Sequence, residues 1–183
     1  MNYYGSKELA AAFRTVRNNT IKIAEEIPEE QYGFRVAPGT RTVAQTLVHI
    51  NVMLRVPQII HFEEARTSLE GLNFFEVLSG LIAEEQVPRS KQQIIDMLRT
   101  GAEAFAKQLE GASEEFLGQI VAYPEGMVPP SKSRFEMLMS AKEHEMHHRG
   151  QLMMMERMLG IVPHLTRQMM DRIAAIQASK AGA

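Results

Sequence analysis

The chain has 183 residues, enough for one good hydrophobic core and too few for a second, so a single domain over residues 1–183 is expected. With 20 Lys and Arg against 22 Asp and Glu, the net charge of -2 gives no pull toward phosphate backbones or anionic lipid, and nucleic acid is not an expected partner. The chain has no cysteine, which removes disulfides, thiolate metal ligands and cysteine nucleophiles together; any thiol in the chemistry has to arrive with a substrate. The opening residues, Met1 to Glu8, carry neither the basic nor the apolar region of a signal peptide, and no uncharged apolar run reaches membrane-spanning length. A cytoplasmic protein without a membrane partner is expected.

In chain order, the pattern is one of helices joined by turns. Ser6 is expected to cap a first helix in which Leu9, Phe13, Val16, Thr20 and Ile23 recur at three- and four-residue steps as far as Glu26, before Ile27-Pro28 ends it. Residues 29–40 are irregular, broken by Gly33, Pro38 and Gly39, with Tyr32 and Phe34 expected to seal one end of the core. A second helix, capped by Thr42 and running to Leu54, is apolar nearly all round and belongs inside a bundle; His49 is its only titratable residue before Arg55. Pro57 kinks it, and residues 58–66 continue it with His61. Residues 67–88 hold short apolar clusters around Phe74, Phe75, Val77, Leu78, Leu81 and Ile82 and are read as helical.

The third long helix is plainer. Ser90 caps it, Gln93 sits at the capping-box position, Ile94, Met97, Leu98, Ala102, Phe105 and Leu109 form its stripe, and Gly111 ends it. Residues 113–130 read as a short helical turn followed by an irregular or β-like loop. Pro129-Pro130 lead to Ser131, expected to cap a fourth long helix that ends at Gly160, and a last helix spans about residues 166–178 with Met169, Met170, Ile173 and Ile176 on one face. Four long helices imply an all-α fold, a four-helix bundle with short extra helices.

Three of the six histidines fall in Glu143-His144-Glu145-Met146-His147-His148-Arg149-Gly150-Gln151-Leu152. At 3.6 residues per turn His144 and His148 differ by about 40° around the helix, so both imidazoles can reach one point, while His147 lies about 60° to the other side of His144. Their face also carries Met137, Ala141, Gln151 and Met155, the side an amphipathic helix buries. A buried polar group without a partner costs roughly 1–3 kcal/mol, and a divalent metal is the partner this spacing suits best. In a bundle, metal ligands come from facing helices, and His49 is the natural third ligand. Three neutral imidazoles leave a position open for water or substrate, as catalytic sites do.

Each of these residues also has a plainer reading. Core histidines bonded to backbone or water would explain the pair, and a satisfied core histidine would explain His49. His147 is expected to hydrogen-bond beside the ligands or at a helix interface, and His61 and His164, near kinks or ends, are expected to be solvated. Gln151 either orients a ligand or lines the pocket as a satisfied polar residue. Arg149 is either a solvated charge or an anion contact, Gly150 is read as allowing close helix packing, and the 13 methionines are read as adaptable core filler.

His49 within Thr42-Val43-Ala44-Gln45-Thr46-Leu47-Val48-His49-Ile50, after Ile27-Pro28-Glu29-Glu30-Gln31-Tyr32 and Pro38-Gly39-Thr40-Arg41, resembles the N-terminal half of the DinB-like superfamily. Residues 143–152, followed by Leu159-Gly160 and Pro163, resemble its C-terminal signature, so the likeness runs from about residue 6 to 163. The resemblance implies an up-down-down-up four-helix bundle that binds nickel, zinc or another divalent ion, such as iron or manganese, through His49, His144 and His148. It further implies a small-molecule substrate, in some relatives with a low-molecular-weight thiol as cosubstrate, and a homodimer, for which the Met- and Ile-rich last helix offers a seam.

His144-Glu145-Met146-His147-His148 also satisfies H-E-x-x-H, in which the Glu is the base of a zinc peptidase. The continuation that supplies a third ligand there is absent, since Gly150 stands two residues past His148 instead of three and no Glu follows Glu156. Glu145 lies about 60° from His148 around the helix and is kept as a residue that could act beside the metal or in acid-base chemistry. A di-iron carboxylate bundle needs Glu-x-x-His on two helices, and only Glu145-x-x-His148 is present. Three functions stay open: a transferase that activates a thiol on the metal, a hydrolase that activates water, and a metal-binding protein without turnover.

Overall fold

Helix α1 (Ser6–Glu26) buries Leu9, Phe13, Val16, Thr20 and Ile23, the stripe its spacing dictates. The computed structural model describes residues 4–181; residues 1–3 and 182–183, which include the first residues of the stretch that lacks signal-peptide features and both ends of the expected domain, lie outside the described residues. Gly5, not Ser6, is the N-cap of α1, because the Glu8 carboxylate reaches back to accept from the Gly5 N–H at 3.0 Å and fixes the helix start one residue earlier. After Pro28 a single 3-10 turn (Glu29–Gln31) brings in Tyr32, whose hydroxyl donates to the Ala24 carbonyl at 2.6 Å and closes that end of the core.

Helix α2 (Val43–Val52) starts at Thr42 with a reciprocal bond to Gln45. After a turn it continues as α3 (Arg55–Pro57) and a π-helical stretch (Gln58–Glu63). Pro57 has no N–H to give to the ladder, and the chain absorbs the loss by widening its turns. The helical reading of residues 67–88 holds only for α4 (Phe74–Glu85), capped by Asn73. The residues before it are drawn out of helix by a bridge between Ser68 and Ala122.

Helix α5 (Lys91–Glu110) has the expected Ser90 and Gln93 capping box and ends at Gly111. Helix α6 (Glu114–Gly118) leads into a small hairpin of β1 (Ile120–Ala122) and β2 (Ser131–Ser133), with Ile120 opposite Ser133. That hairpin displaces the expected cap of the fourth long helix. Ser131 is paired in the sheet opposite Ala122, and Ser133 instead accepts from the Glu136 N–H at 3.2 Å to start α7 (Arg134–Met158). Gly160 follows in the left-handed conformation, φ 78°, and α8 (His164–Ala181) begins two residues earlier than expected. None of the described helices is long and apolar enough to cross a membrane.

The contacts fix the helix directions. Lys91 at the start of α5 donates to the carbonyls of Glu25 and Ile27 at the end of α1, while Arg14 near the start of α1 pairs with Glu103 and Glu110 late in α5, so these two run antiparallel. Asn51 meets Gly101, and Gln58 meets Gln108, so the line of α2 runs parallel to α5. Leu138 packs with Leu9 and Phe13, Glu145 pairs with Arg17, and Leu152 and Met155 pack with Ile23 and Ala24, so α7 runs parallel to α1. The result is an up-down-down-up four-helix bundle of α1, α2, α5 and α7. Because α2 and α5 run the same way, the chain between them has to travel back along the bundle, and this return carries α4 against α2.

Two apolar clusters fill opposite ends of the bundle, one around Ile23, Leu47, Ile94 and Leu152, the other around Phe13, Leu54, Phe105 and Leu138. Each fully buried side chain of this size contributes roughly 1.5–3 kcal/mol. Between the clusters lies a polar layer. Arg17, fully buried, donates from Nε to both Glu145 oxygens at 2.9 and 3.0 Å, and from Nη1 to Asn51 Oδ1 and the Leu98 carbonyl, both at 2.9 Å. Close helix approach occurs at Gly101, where an added Cβ would stand 2.2 Å from Asn51 Oδ1; Gly150, read as the packing glycine, faces open space.

Candidate metal centre

The apolar character of α2 carries His49 into the bundle, and the one-turn spacing of α7 brings His144 and His148 to meet it. One ring nitrogen from each lies within 4.8 Å of the others. His144 Nε2 stands 3.1 Å from His49 Nε2 and 3.1 Å from His148 Nε2.

The far side of two of the rings is held. His49 Nδ1 lies 2.6 Å from Glu85 Oε1, and Arg41 donates to the same carboxylate, from Nε to Oε2 at 2.6 Å. His148 Nδ1 lies 2.8 Å from Gln151 Oε1, and the Gln151 amide donates to His147 Nε2 at 3.0 Å. Burial lowers the pKa of all three histidines, against the bonds of Glu85 to His49 and Gln151 to His148; for His144 burial and the neighbouring imidazoles take it to about 4. All three are neutral at neutral pH. Burial alone would raise Glu85, but the bonds from Arg41 and His49 outweigh it and hold the carboxyl below its usual range.

These partners settle the protons. An ionised carboxylate and an amide oxygen can only accept, so His49 and His148 carry their hydrogens on Nδ1 and present bare Nε2 lone pairs to His144. His144 has at most one hydrogen on Nε2 and cannot satisfy both neighbours. At least one neighbouring Nε2 lone pair is therefore left without a hydrogen, 3.1 Å from His144 Nε2, unless a cation lies among them. Nitrogens about 2.0–2.1 Å from a tetrahedral zinc stand about 3.3 Å apart, close to the 3.1 Å that separates His144 Nε2 from each of the other two. The donor set fits a divalent ion.

The other residues singled out in the sequence fall elsewhere. Gln151 is bonded to His148, and His147, exposed, reaches the centre through the Gln151 amide and by packing edge-on against the His148 ring, with centroids 4.9 Å apart. Glu145 is buried against Arg17 on the α1 side of α7. His61 and His164, expected in solvent, are both buried, because Arg134 covers the first and α1, through Asn19, the second. Arg149, read as either a solvated charge or an anion contact, is half-buried, and its Nε has no hydrogen-bond partner among the described residues. Glu85 went unseen in the sequence, where nothing separates it from Glu84 beside it. Arg41 lay within the motif that carries the family resemblance, without a role.

Two cavities of opposite character meet the histidines. One, of about 520 Å³, includes His144 in its wall and is otherwise mostly apolar, with Met53, Ile60, Leu72 and Met137 among its residues. The other, of about 780 Å³, includes His148, Glu85, Gln151, Arg35 and Arg41.

A family model described as "DinB family" matches residues 1–178. No functionally curated protein matches the sequence. Among solved structures, a DinB-like protein from Bacillus cereus is 22% identical, with a TM-score of 0.62 over 85% of this chain and 93% of that one. A DinB-like protein from Bacillus subtilis is 20% identical, with a TM-score of 0.61 over 84% and 92%. YfiT from Bacillus subtilis, described as a probable metal-dependent hydrolase with an unusual four-helix bundle topology, is 14% identical, with a TM-score of 0.65 over 85% and 88%. At these identities the likeness is one of fold.

Proposed function

The chain belongs to the DinB family, and on that premise we propose that it is a metal-dependent transferase that joins a low-molecular-weight thiol to an apolar electrophile. His49, His144 and His148 would hold the ion, with nickel or zinc the first choice and iron or manganese next. The observation that carries this reading is that the three-histidine cluster meets two unlike cavities, with His144 in the wall of an apolar one and His148 in the wall of one that carries Arg35 and Arg41. Two substrates of unlike chemistry fit such a site better than one.

An ion bound there would supply positive charge that moves a thiol, with a free pKa of about 8.5, toward its thiolate. The chain's own residues do the rest. Glu85 and Gln151 fix the rings of His49 and His148 and keep their Nε2 atoms free of protons. Arg35, which has no ion pair among the described residues, and Arg41 would hold the anionic part of the thiol cosubstrate. The apolar wall excludes water around the electrophile. Sulfur bonds to the electrophilic carbon, the leaving group departs with its electron pair, and the thiol proton passes to solvent.

The description of YfiT as a probable metal-dependent hydrolase supports a second reading, in which the ion activates water. Conjugation of monochlorobimane to a panel of thiols, with metal present and removed, separates the two. The transferase reading expects metal-dependent conjugation lost in His49→Ala and His144→Ala. Metal-dependent hydrolysis of an ester or amide panel with no conjugation would overturn it, and metal uptake with neither activity would leave a binding protein. Elemental analysis of the protein beside His49→Ala names the ion. We also propose a homodimer through the exposed Met169, Met170, Ile173 and Ile176 face of α8, tested by sedimentation equilibrium.

A further inference from the structure

The apolar cavity beside His144 has a second histidine in its wall. His61 is only 1% exposed, and its Nδ1 stands 3.1 Å from Arg134 Nη1. A guanidinium can donate but never accept, so Nδ1 is the acceptor and the one proton of the neutral ring sits on Nε2. Burial, then the charge of Arg134, takes the His61 pKa down to about 4, which keeps the ring neutral.

Arg134 is itself fixed. It is fully buried, donates to Gln119 Oε1 at 2.9 Å and to the Ala65 carbonyl at 2.8 Å, and lies over the Phe116 ring at 4.7 Å. The tautomer of His61 is thus set from behind. Its Nε2–H has no partner among the described residues. That donor is not among the side-chain atoms closed off without a partner, and the ring that carries it forms part of a cavity wall.

The rest of that wall is of one chemical kind. It includes Tyr123 and Lys132, whose ammonium pairs with Glu136 at 2.8 Å, but itself holds no Asp or Glu, and most of the remainder is Met, Leu, Ile, Pro and Phe. The cavity offers donors and apolar surface, and no anion.

We propose that this cavity binds an apolar molecule bearing a carbonyl or carboxylate oxygen, which accepts a hydrogen bond from His61 Nε2–H while the hydrocarbon body fills the space toward His144. As the substrate class of the proposed transferase, this rests on that reading; as a binding site, it can be tested without it. His61 is then a specificity residue and Arg134 the group that positions it.

The test is calorimetric titration of chelator-treated, metal-free protein with decanoate, 2-decanone and decylamine. Decanoate and 2-decanone are expected to bind, decylamine at least tenfold more weakly, and the balance between the first two says whether carboxylate or carbonyl is preferred. His61→Leu is expected to weaken both oxygen-bearing ligands about tenfold. His61→Gln, which keeps an acceptor for Arg134 and a donor for the ligand, is expected to retain most of the binding. Ala141→Phe, which leaves the His61–Arg134 pair alone and fills the cavity, is expected to abolish binding and decides the matter if His61→Leu does not fold. Equal binding of decylamine, unchanged binding in Ala141→Phe, or no binding at all would overturn the proposal. Because no metal is present, failure here is separate from failure of the thiol conjugation assay.

Discussion

Replacing Glu156 by Gln is expected to stabilise the protein above pH 7 and to do almost nothing at pH 4. Glu156 is fully buried near the end of α7, and neither carboxylate oxygen has a partner among the described residues. Burial, reinforced by Glu26 and opposed by Arg167 and Arg157, raises its pKa from 4.5 to about 7. The unfolded chain releases this proton above about pH 4.5, whereas the folded chain keeps it to about pH 7. Between those values the folded state binds more protons, so stability falls as pH rises and the full cost is present above pH 7. The gap between 4.5 and about 7, at about 1.4 kcal/mol for each tenfold step, gives about 3 kcal/mol. Gln keeps the shape and never charges, so urea denaturation of metal-free protein should find the variant about 3 kcal/mol more stable at pH 8 and within about 0.5 kcal/mol at pH 4. In thermal melts the pH 8 difference corresponds to roughly 6–12 °C. A difference of the same size at both pH values would show that Glu156 is not held protonated, and the reasoning would fail.

Gly101→Ala should destabilise by about 1–3 kcal/mol, because its Cβ would displace an Asn51 oxygen that Arg17 depends on, whereas Gly150→Ala should stabilise by about 0.5–1 kcal/mol; thermal melts of the pair check both. Glu85→Gln should weaken metal binding about 10- to 100-fold in a competition assay with a chelating dye, and unchanged affinity would remove Glu85 from the centre. Glu145→Gln strands the buried Arg17 and should cost about 3–5 kcal/mol, with the folded protein taking up metal more weakly; intact stability with abolished turnover would instead put Glu145 in the reaction.

The helices were legible because their information is local. Three- and four-residue spacing marks the buried stripe, and Thr42 with Gln45 or Ser90 with Gln93 marks a start whatever the rest of the chain does. The meeting of His49, His144 and His148 was legible for a related reason, since an apolar helix and a one-turn spacing leave few other places for those rings. What stayed hidden depends on distant partners. His61 is buried because Arg134 reaches it across 73 positions of sequence, and Glu145 is occupied because Arg17 lies 128 positions away. Gly101 matters only because Asn51 crosses it, and Glu85 reaches His49 only because the up-down-down-up order forces a return segment along α2. Ser131 lost the cap to Ser133 through a strand pairing too short to leave a pattern.

The buried Arg17–Glu145 pair bears on why the centre is where it is. Glu145 follows His144 directly, about 100° further around α7, so one helix presents imidazoles to α2 and a carboxylate to α1. An imidazole nitrogen about 6 Å from the helix axis moves about 2 Å for a 20° rotation, enough to spoil a site whose nitrogens stand 3.1 Å apart. Apolar packing resists such rotation weakly, because methionines along α7 can refill the space. The ion pair resists it strongly, since rotation would part a guanidinium from its carboxylate in a layer closed to water. The same carboxylate that makes the helix spell H-E-x-x-H is thereby withheld from a peptidase's chemistry, and its contribution to the centre is the rotational setting of the helix that carries two of the three imidazoles.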